Sequence, residues 1–172
     1  MKRVTCVATL TLALLAASAG PAAATEVGSR RPFGLGFALG TPTSIVGKYF
    51  IGGGNAIDFG VGFWRYRSCY TNNNRRFCDG GGLGLNADYL WQEGLARGTA
   101  NLDWHIGVGA RLWALDDYYD NRFGFAARMP VGLDLTFARP SFVEVFLELA
   151  PALYIIPTAL DIEAFLGVRF YF

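Results

Sequence analysis

The sequence predicts an all-β chain: an eight-stranded antiparallel up-and-down transmembrane β-barrel. Three observations predict it. Residues 161–172 alternate, with Ile162, Ala164, Leu166, Val168, Phe170 and Phe172 on one parity and Asp161, Glu163, Phe165, Gly167, Arg169 and Tyr171 on the other. A period of two is the mark of a strand. Charged residues keep one parity in other segments as well. Finally, the chain is 52% hydrophobic and 15% aromatic, yet beyond residue 24 it has no apolar run of the ~18 residues a spanning helix needs. An apolar chain that alternates without such a run fits a transmembrane barrel.

The first element is a leader. Lys2 and Arg3 precede an apolar stretch from Val4 to Ala19, and Ala22, Ala23 and Ala24 supply the small residues of a cleavage site. This predicts a signal peptide over 1–24 and export. No Cys directly follows the apolar stretch, and Cys6 lies before its end, so no lipoprotein anchor is expected. Residues 25–172 then form one domain. Losing Lys2 and Arg3 leaves acidic and basic residues nearly balanced, which argues against nucleic acid as a partner. Cys6 leaves with the leader. Cys69 and Cys78 remain, and a pair in an exported chain points to a disulfide, worth about 2–3 kcal/mol by loop closure.

Eight strands follow, over 33–41, 44–52, 56–66, 81–92, 100–114, 123–138, 141–155 and 161–172. Each approaches or exceeds the ~9–11 residues that cross a bilayer at a tilt. Glycine and proline turns (42, 52–54, 140) join some of them. A long loop over 67–80 carries both Cys, a polar loop lies over 116–122, and shorter connections lie over 93–99 and 157–160. With both termini periplasmic, the long and acidic loops fall outside.

The inner face is marked by charge. Lys48, Asp58, Asp88, Asp103, His105, Arg111, Arg128, Asp134, Glu144, Glu148, Asp161, Glu163 and Arg169 keep the inner parity of their strands. A one-residue slip would move each set to the other face. Gly34, Gly36, Gly40, Gly60, Gly62, Gly82, Gly84, Gly107 and Gly109 share the inner parity. The opposite faces read Leu102, Trp104, Ile106, Val108 and Leu112, then Phe125, Met129, Val131, Leu133, Leu135 and Phe137, then Val143, Val145, Leu147, Leu149, Leu153 and Ile155. Those stripes are expected to face lipid. Eight strands leave an interior just wide enough for side chains to fill, so the charges are expected to pair as a plug rather than line a wide pore. Trp64, Trp91, Trp104, Trp113, Tyr89 and Tyr154 supply candidates for aromatic girdles.

Three constellations could carry chemistry. His105, the only histidine, has Asp103 two residues away on the same parity, an arrangement that orients a general base. Ser29, Ser44, Ser68 and Ser141 are the candidate nucleophiles, but none sits in a recognisable motif. Arg65, Arg67, Arg75 and Arg76, interleaved with Tyr66, Tyr70 and Phe77, suit bidentate phosphate contact. Asp116, Asp117 and Asp120 lack EF-hand spacing for Ca²⁺. No catalytic set, cofactor site or transition-metal site emerges.

A strand that stops on an aromatic residue, as Phe170 and Phe172 do here, resembles the C-terminal signature of bacterial outer-membrane β-barrels. The strand count and domain size resemble the OmpA transmembrane domain and the OmpX-type small barrels, and the runs PTSIVGKYF and AIDFGVGFW are similar to other small outer-membrane barrels. The resemblance implies outer-membrane localisation, insertion by the barrel-assembly machinery reading Phe170 and Phe172, a monomer, and a structural or surface-contact role without catalysis. It also implies contact with outer-membrane lipid and lipopolysaccharide, for which the four arginines are the candidates. With no periplasmic domain expected after Phe172, anchoring to the cell wall is not expected. Three rival readings are a lipid A-modifying enzyme built on His105, a soluble lipocalin-like carrier with an apolar interior, and a narrow channel.

Overall fold

The computed structural model describes residues 26–72, 75–116, 122–156 and 158–172, with side chains described except at 26, 29, 64–81, 115–122 and 156. The expected leader over 1–24 lies outside the described residues.

The alternating segments form nine strands: β1 (Phe33–Gly40), β2 (Thr43–Gly52), β3 (Asn55–Asn72), β4 (Arg75–Ala96), β5 (Ala100–Asp116), β6 (Arg122–Arg128), β7 (Val131–Phe137), β8 (Val143–Ile156) and β9 (Thr158–Tyr171). Each pairs antiparallel with its neighbours, and β1 also pairs with β9, with Gly36 opposite Arg169. The Phe172 amide donates to the Phe33 carbonyl at 2.8 Å beyond that ladder. The wall of the sheet therefore closes on itself. The nine segments fill eight positions, because β6 and β7 both lie between β5 and β8. The fold is the expected eight-stranded antiparallel barrel.

Two expectations about the strands need correction. The sixth strand, read as continuous over 123–138, breaks at Met129 and Pro130. Proline has no N–H to give the ladder. The gap stays hydrogen-bonded, since Gly107 donates to the Pro130 carbonyl at 2.8 Å and Met129 to that of Pro151 at 3.0 Å. The segment 67–80, read as a loop, is mostly paired strand. β3 and β4 run to Asn72 and back from Arg75, with a bulge between Tyr66 and Cys69 and with Cys69 directly opposite Cys78. β2 reaches only Phe63 of β3, and β5 reaches only Gly81 of β4. Beyond those points the two strands form a ribbon that stands above the barrel wall. The connections read at 93–99 and 157–160 are likewise shortened by β4 and β9.

Glycine has two structural uses here, in a turn and in close strand contact. The turn Gly52, Gly53 and Gly54 has φ of 99°, 64° and 80°, a region L side chains rarely enter. Gly36 lets β1 lie against β9, because a Cβ there would run into the backbone of Val168 and Arg169.

The polarity is inverted relative to a water-soluble domain. Phe37, Ile45, Phe63, Leu147, Leu153, Ile162 and Leu166 are among the exposed side chains, whereas Lys48, His105, Asp134 and Glu144 are fully buried. None of the residues assigned to the outer stripes is buried. Trp113, one of the girdle candidates, instead points inward and is 8% exposed, with half-buried Tyr154 edge-on at 6.3 Å. Among the described residues Ala38, Val46, Phe146 and Phe165 form a small apolar cluster in the interior, and Leu90 is buried as well.

Candidate functional site

Lys48, Asp58, Asp88, Asp103, His105, Arg111, Arg128, Asp134, Glu144, Glu148, Glu163 and Arg169 are all buried inside the ring. Strand parity puts them there, and desolvation then forces them to pair: a lone ion taken out of water costs several kcal/mol. Asp161 departs from the expectation. It is exposed, at the start of β9, where its carboxylate accepts from the Ile162 amide at 2.8 Å.

The pairs fall into two clusters. In the first, Arg169 donates to Asp58 and to Glu144, the latter at 2.7 Å, and lies 3.7 Å from Asp134. Its guanidinium sits 3.7 Å from the centre of the Phe146 ring. Lys48 donates to Asp134 at 2.9 Å and lies 3.7 Å from Glu144. The Tyr171 hydroxyl donates to the other Glu144 oxygen at 2.9 Å. In the second, Arg128 reaches Asp88 at 3.2 Å, Glu148 at 2.5 Å and Glu163 at 3.1 Å. Arg111 also pairs with Glu163, and Tyr154 donates to Glu163 at 3.2 Å. Asn86 donates to Asp88 at 3.0 Å.

His105 lies between them. Its Nδ1 is 2.7 Å from Asp134 of the first cluster, and its Nε2 is 3.4 Å from Glu148 of the second. Gly132 makes room, since a Cβ there would collide with the imidazole. The expected partner of His105 was Asp103, and this is corrected. Asp103 sits across the ladder from Asp134 and pairs instead with Arg97 near the barrel's rim. Ser44, one of the candidate nucleophiles, donates its hydroxyl to the Pro42 carbonyl at 3.0 Å.

Sequence reasoning missed Tyr171, Tyr154, Asn86 and Arg97 as members. Tyr171 shares the parity of Arg169, and Asn86 that of Asp88, so alternation alone contained that signal. The side chains of Cys69, Cys78, Arg65, Arg67, Arg75 and Arg76 lie outside those described. The backbone places Arg75 opposite Asn72, Arg76 opposite Thr71 and Arg65 opposite Gly81 along the ribbon. Asp116 ends β5, and Asp117 and Asp120 lie outside the described residues. Phe170 and Phe172 point outward, 39% and 70% exposed.

At the end of the barrel that holds the Gly52–Gly54 turn, a cavity of ≈ 220 Å³ is lined in part by Phe50, Gln92, Arg97, Thr136 and Glu144. Deeper in, a void of ≈ 10 Å³ touches Asp58, Arg128, Glu148 and Arg169. An ion-paired interior within a closed antiparallel ring of apolar outer surface defines the class: a small β-barrel turned inside out in polarity.

Within that class the chain belongs to the family described as "Protein of unknown function (DUF3996)", whose pattern matches residues 24–172. No curated protein matches it. Among solved structures it is similar to Ail, the attachment invasion locus protein of Yersinia pestis, at 12% identity and a TM-score of 0.40, over 81% of this chain and 93% of that one. Ail in complex with the heparin analogue sucrose octasulfate aligns at 11% identity and a TM-score of 0.41, over 81% and 94%. Neisserial surface protein A aligns at 11% and 0.40, over 81% and 93%.

Proposed function

We propose that this chain is an integral outer-membrane protein whose role is structural and surface-directed rather than catalytic. One observation carries the reading: the barrel buries its ions and exposes its leucines, isoleucines and phenylalanines. In water that arrangement would leave a broad apolar surface uncovered; in a bilayer it is the stable one. A soluble lipocalin-like carrier needs an apolar lining, and the described interior is lined with ion pairs. On this reading residues 1–24 are removed after export, β9 with Phe170 and Phe172 is the assembly signal, and the barrel sits as a monomer in outer-membrane lipid. The ribbon and its Arg65, Arg67, Arg75 and Arg76 reach the phosphate-rich core of lipopolysaccharide, with Cys69 and Cys78 bonded across the ladder. Directly opposed residues on antiparallel strands have Cα atoms about 4.5–5.5 Å apart, within the range a disulfide spans.

The test has two parts. Isolated outer membranes should contain the protein, and it should migrate differently on SDS gels before and after heating. A freely soluble protein with no shift overturns the reading. Replacing Arg65, Arg67, Arg75 and Arg76 by Ala should then lower lipopolysaccharide binding about tenfold or more, since hydrogen bonds to charged groups are worth about 1.5–3 kcal/mol. Unchanged binding by the folded variant removes the lipopolysaccharide assignment.

A further inference from the structure

We infer that the turn end of the barrel holds the headgroup of an anionic phospholipid, at the place where β1, β9 and β8 meet, with Arg31 as the phosphate ligand; the inference rests on the membrane reading above. Three strand ends are tied together there. The Phe172 amide donates to the Phe33 carbonyl and the Tyr171 amide to that of Phe142, each at 2.8 Å. In the ring, β9 lies between β1 and β8. Arg31, just before β1, reaches across the end of β9 and sets its guanidinium over the Phe142 ring, 5.8 Å from the centroid. The Phe170 ring tilts against that of Phe142 at 6.5 Å, and Phe142, Phe170 and Phe172 are all exposed.

The cations of the chain divide by place. Among the described side chains, Lys48, Arg97, Arg111, Arg128 and Arg169 pair with carboxylates. Arg30, Arg31 and Arg139 have no ion pair and no side-chain hydrogen bond. All three lie at the turn end, Arg30 and Arg31 ahead of β1 and Arg139 between β7 and β8. The described acids of that end do not answer them. Asp103 and Glu144 are paired inside the barrel, and Glu93 stands on β4, three strands round the ring from β1.

An unpaired guanidinium on an apolar floor is a divided surface that suits a lipid. Exposed aromatic rings settle at the headgroup level of a bilayer, which sets the Arg31 guanidinium at the depth of the phosphates. Stacked on Phe142, it still presents N–H donors around its edge, and that edge matches a phosphate with two parallel contacts. Phe142, Phe170 and Phe172 lie on the lipid side, where the upper acyl chains run. Arg30 and Arg139 add charge that one phosphate does not neutralise, so a lipid of net negative charge is favoured over a zwitterionic one. With both chain ends in the periplasm, this rim meets the periplasmic leaflet, whereas the ribbon stands at the other end of the barrel.

The experiment is native mass spectrometry of the purified protein in detergent micelles, with phosphatidylglycerol, phosphatidylcholine or inorganic phosphate added. Wild type should retain phosphatidylglycerol in preference to phosphatidylcholine, and inorganic phosphate at the same concentration should not displace it. Arg31→Gln should weaken retention about fivefold, the factor for one arginine at an anionic membrane surface. Arg31→Lys should recover part of the loss, since it returns the charge without the flat donor edge. Arg122→Gln, at the start of β6 near the ribbon, should bind as wild type does. A phosphatidylglycerol with a diazirine high in its acyl chain should cross-link wild type within 139–146 or 165–172, which locates the site even if Arg31→Gln does not fold. Equal retention of the two lipids, undiminished retention by folded Arg31→Gln, an equal loss on Arg122→Gln, or cross-links confined to other segments overturns the site. Displacement by inorganic phosphate makes it a site for free anions and overturns the lipid assignment. Failure of wild type to shift on heating falls on the membrane reading instead.

Discussion

The barrel wall and the ribbon above it are built from the same two strands, β3 and β4, under different constraints. Within the wall, Asp58 and Asp88 are neighbours across the ladder, each with a second sheet neighbour and an inward cation. Beyond Phe63 and Gly81, each strand has only the other. An isolated two-stranded ribbon is marginal in water, so its pairing needs a staple, which Cys69 and Cys78 are placed to supply. The wall's register is held by charges that must pair; the ribbon's is held by local pairing alone. A substitution in the wall should therefore be felt through the whole ring, and one in the ribbon only locally.

The strongest way to break that contrast is Arg169→Met. It leaves Asp58 and Glu144 buried without their shared cation, and removing one partner of a buried pair costs about 3–5 kcal/mol. Urea unfolding in detergent micelles should show that loss, and a midpoint within error of wild type would make the interior as tolerant as the ribbon. Gly36→Val comes next. Its side chain meets β9 backbone, which cannot swing away as a side chain could, so the loss should sit at the upper end of the ~1–3 kcal/mol typical of overpacking. The heat-shifting fraction after refolding reads it. Tyr171→Phe should cost less, about 1–2 kcal/mol, because Lys48 remains near the Glu144 oxygen it abandons. Smallest is the ribbon: Arg75→Ala with Arg76→Ala should move the unfolding midpoint by less than ~0.5 kcal/mol. Replacing Cys69 and Cys78 by Ser should leave that midpoint in place while speeding protease cleavage within residues 64–81. A global loss on either change would mean the ribbon supports the wall.

The inner face is legible in the sequence because charge is unambiguous. A Glu or Arg that shares parity with other ions can occupy only one side of a strand with a lipid-facing stripe, and all the named residues but Asp161 are buried as expected. Aromatic residues carry no such sign, so Trp113 and Tyr171 suit either face unless parity is applied to them strictly. The partner of His105 is not legible. Sequence proximity favours Asp103, whereas the contact depends on which strands face each other across the ring, and that follows from stagger and tilt rather than from alternation. The ribbon is hidden because its polar residues and the glycines Gly80 and Gly81 look like loop, and only cross-strand pairing distinguishes a polar strand from a turn. Pro130 stands in plain view in the sequence, and its missing N–H is the signal for the break in the sixth strand.

The seam where β1 meets β9 has a kinetic meaning. Gly36 opposite Arg169 is a contact between residues far apart in sequence, and contacts of that kind are slow to form. Arg169 is also the cation that Asp58 and Glu144 share. Glu144 faces Arg169 within the β8–β9 hairpin whether or not the seam is closed, whereas Asp58 on β3 meets Arg169 only when the ring is complete. Ring closure and the pairing of Asp58 are thus one event, and an unzipped barrel is marked as unfinished by an acid without its cation.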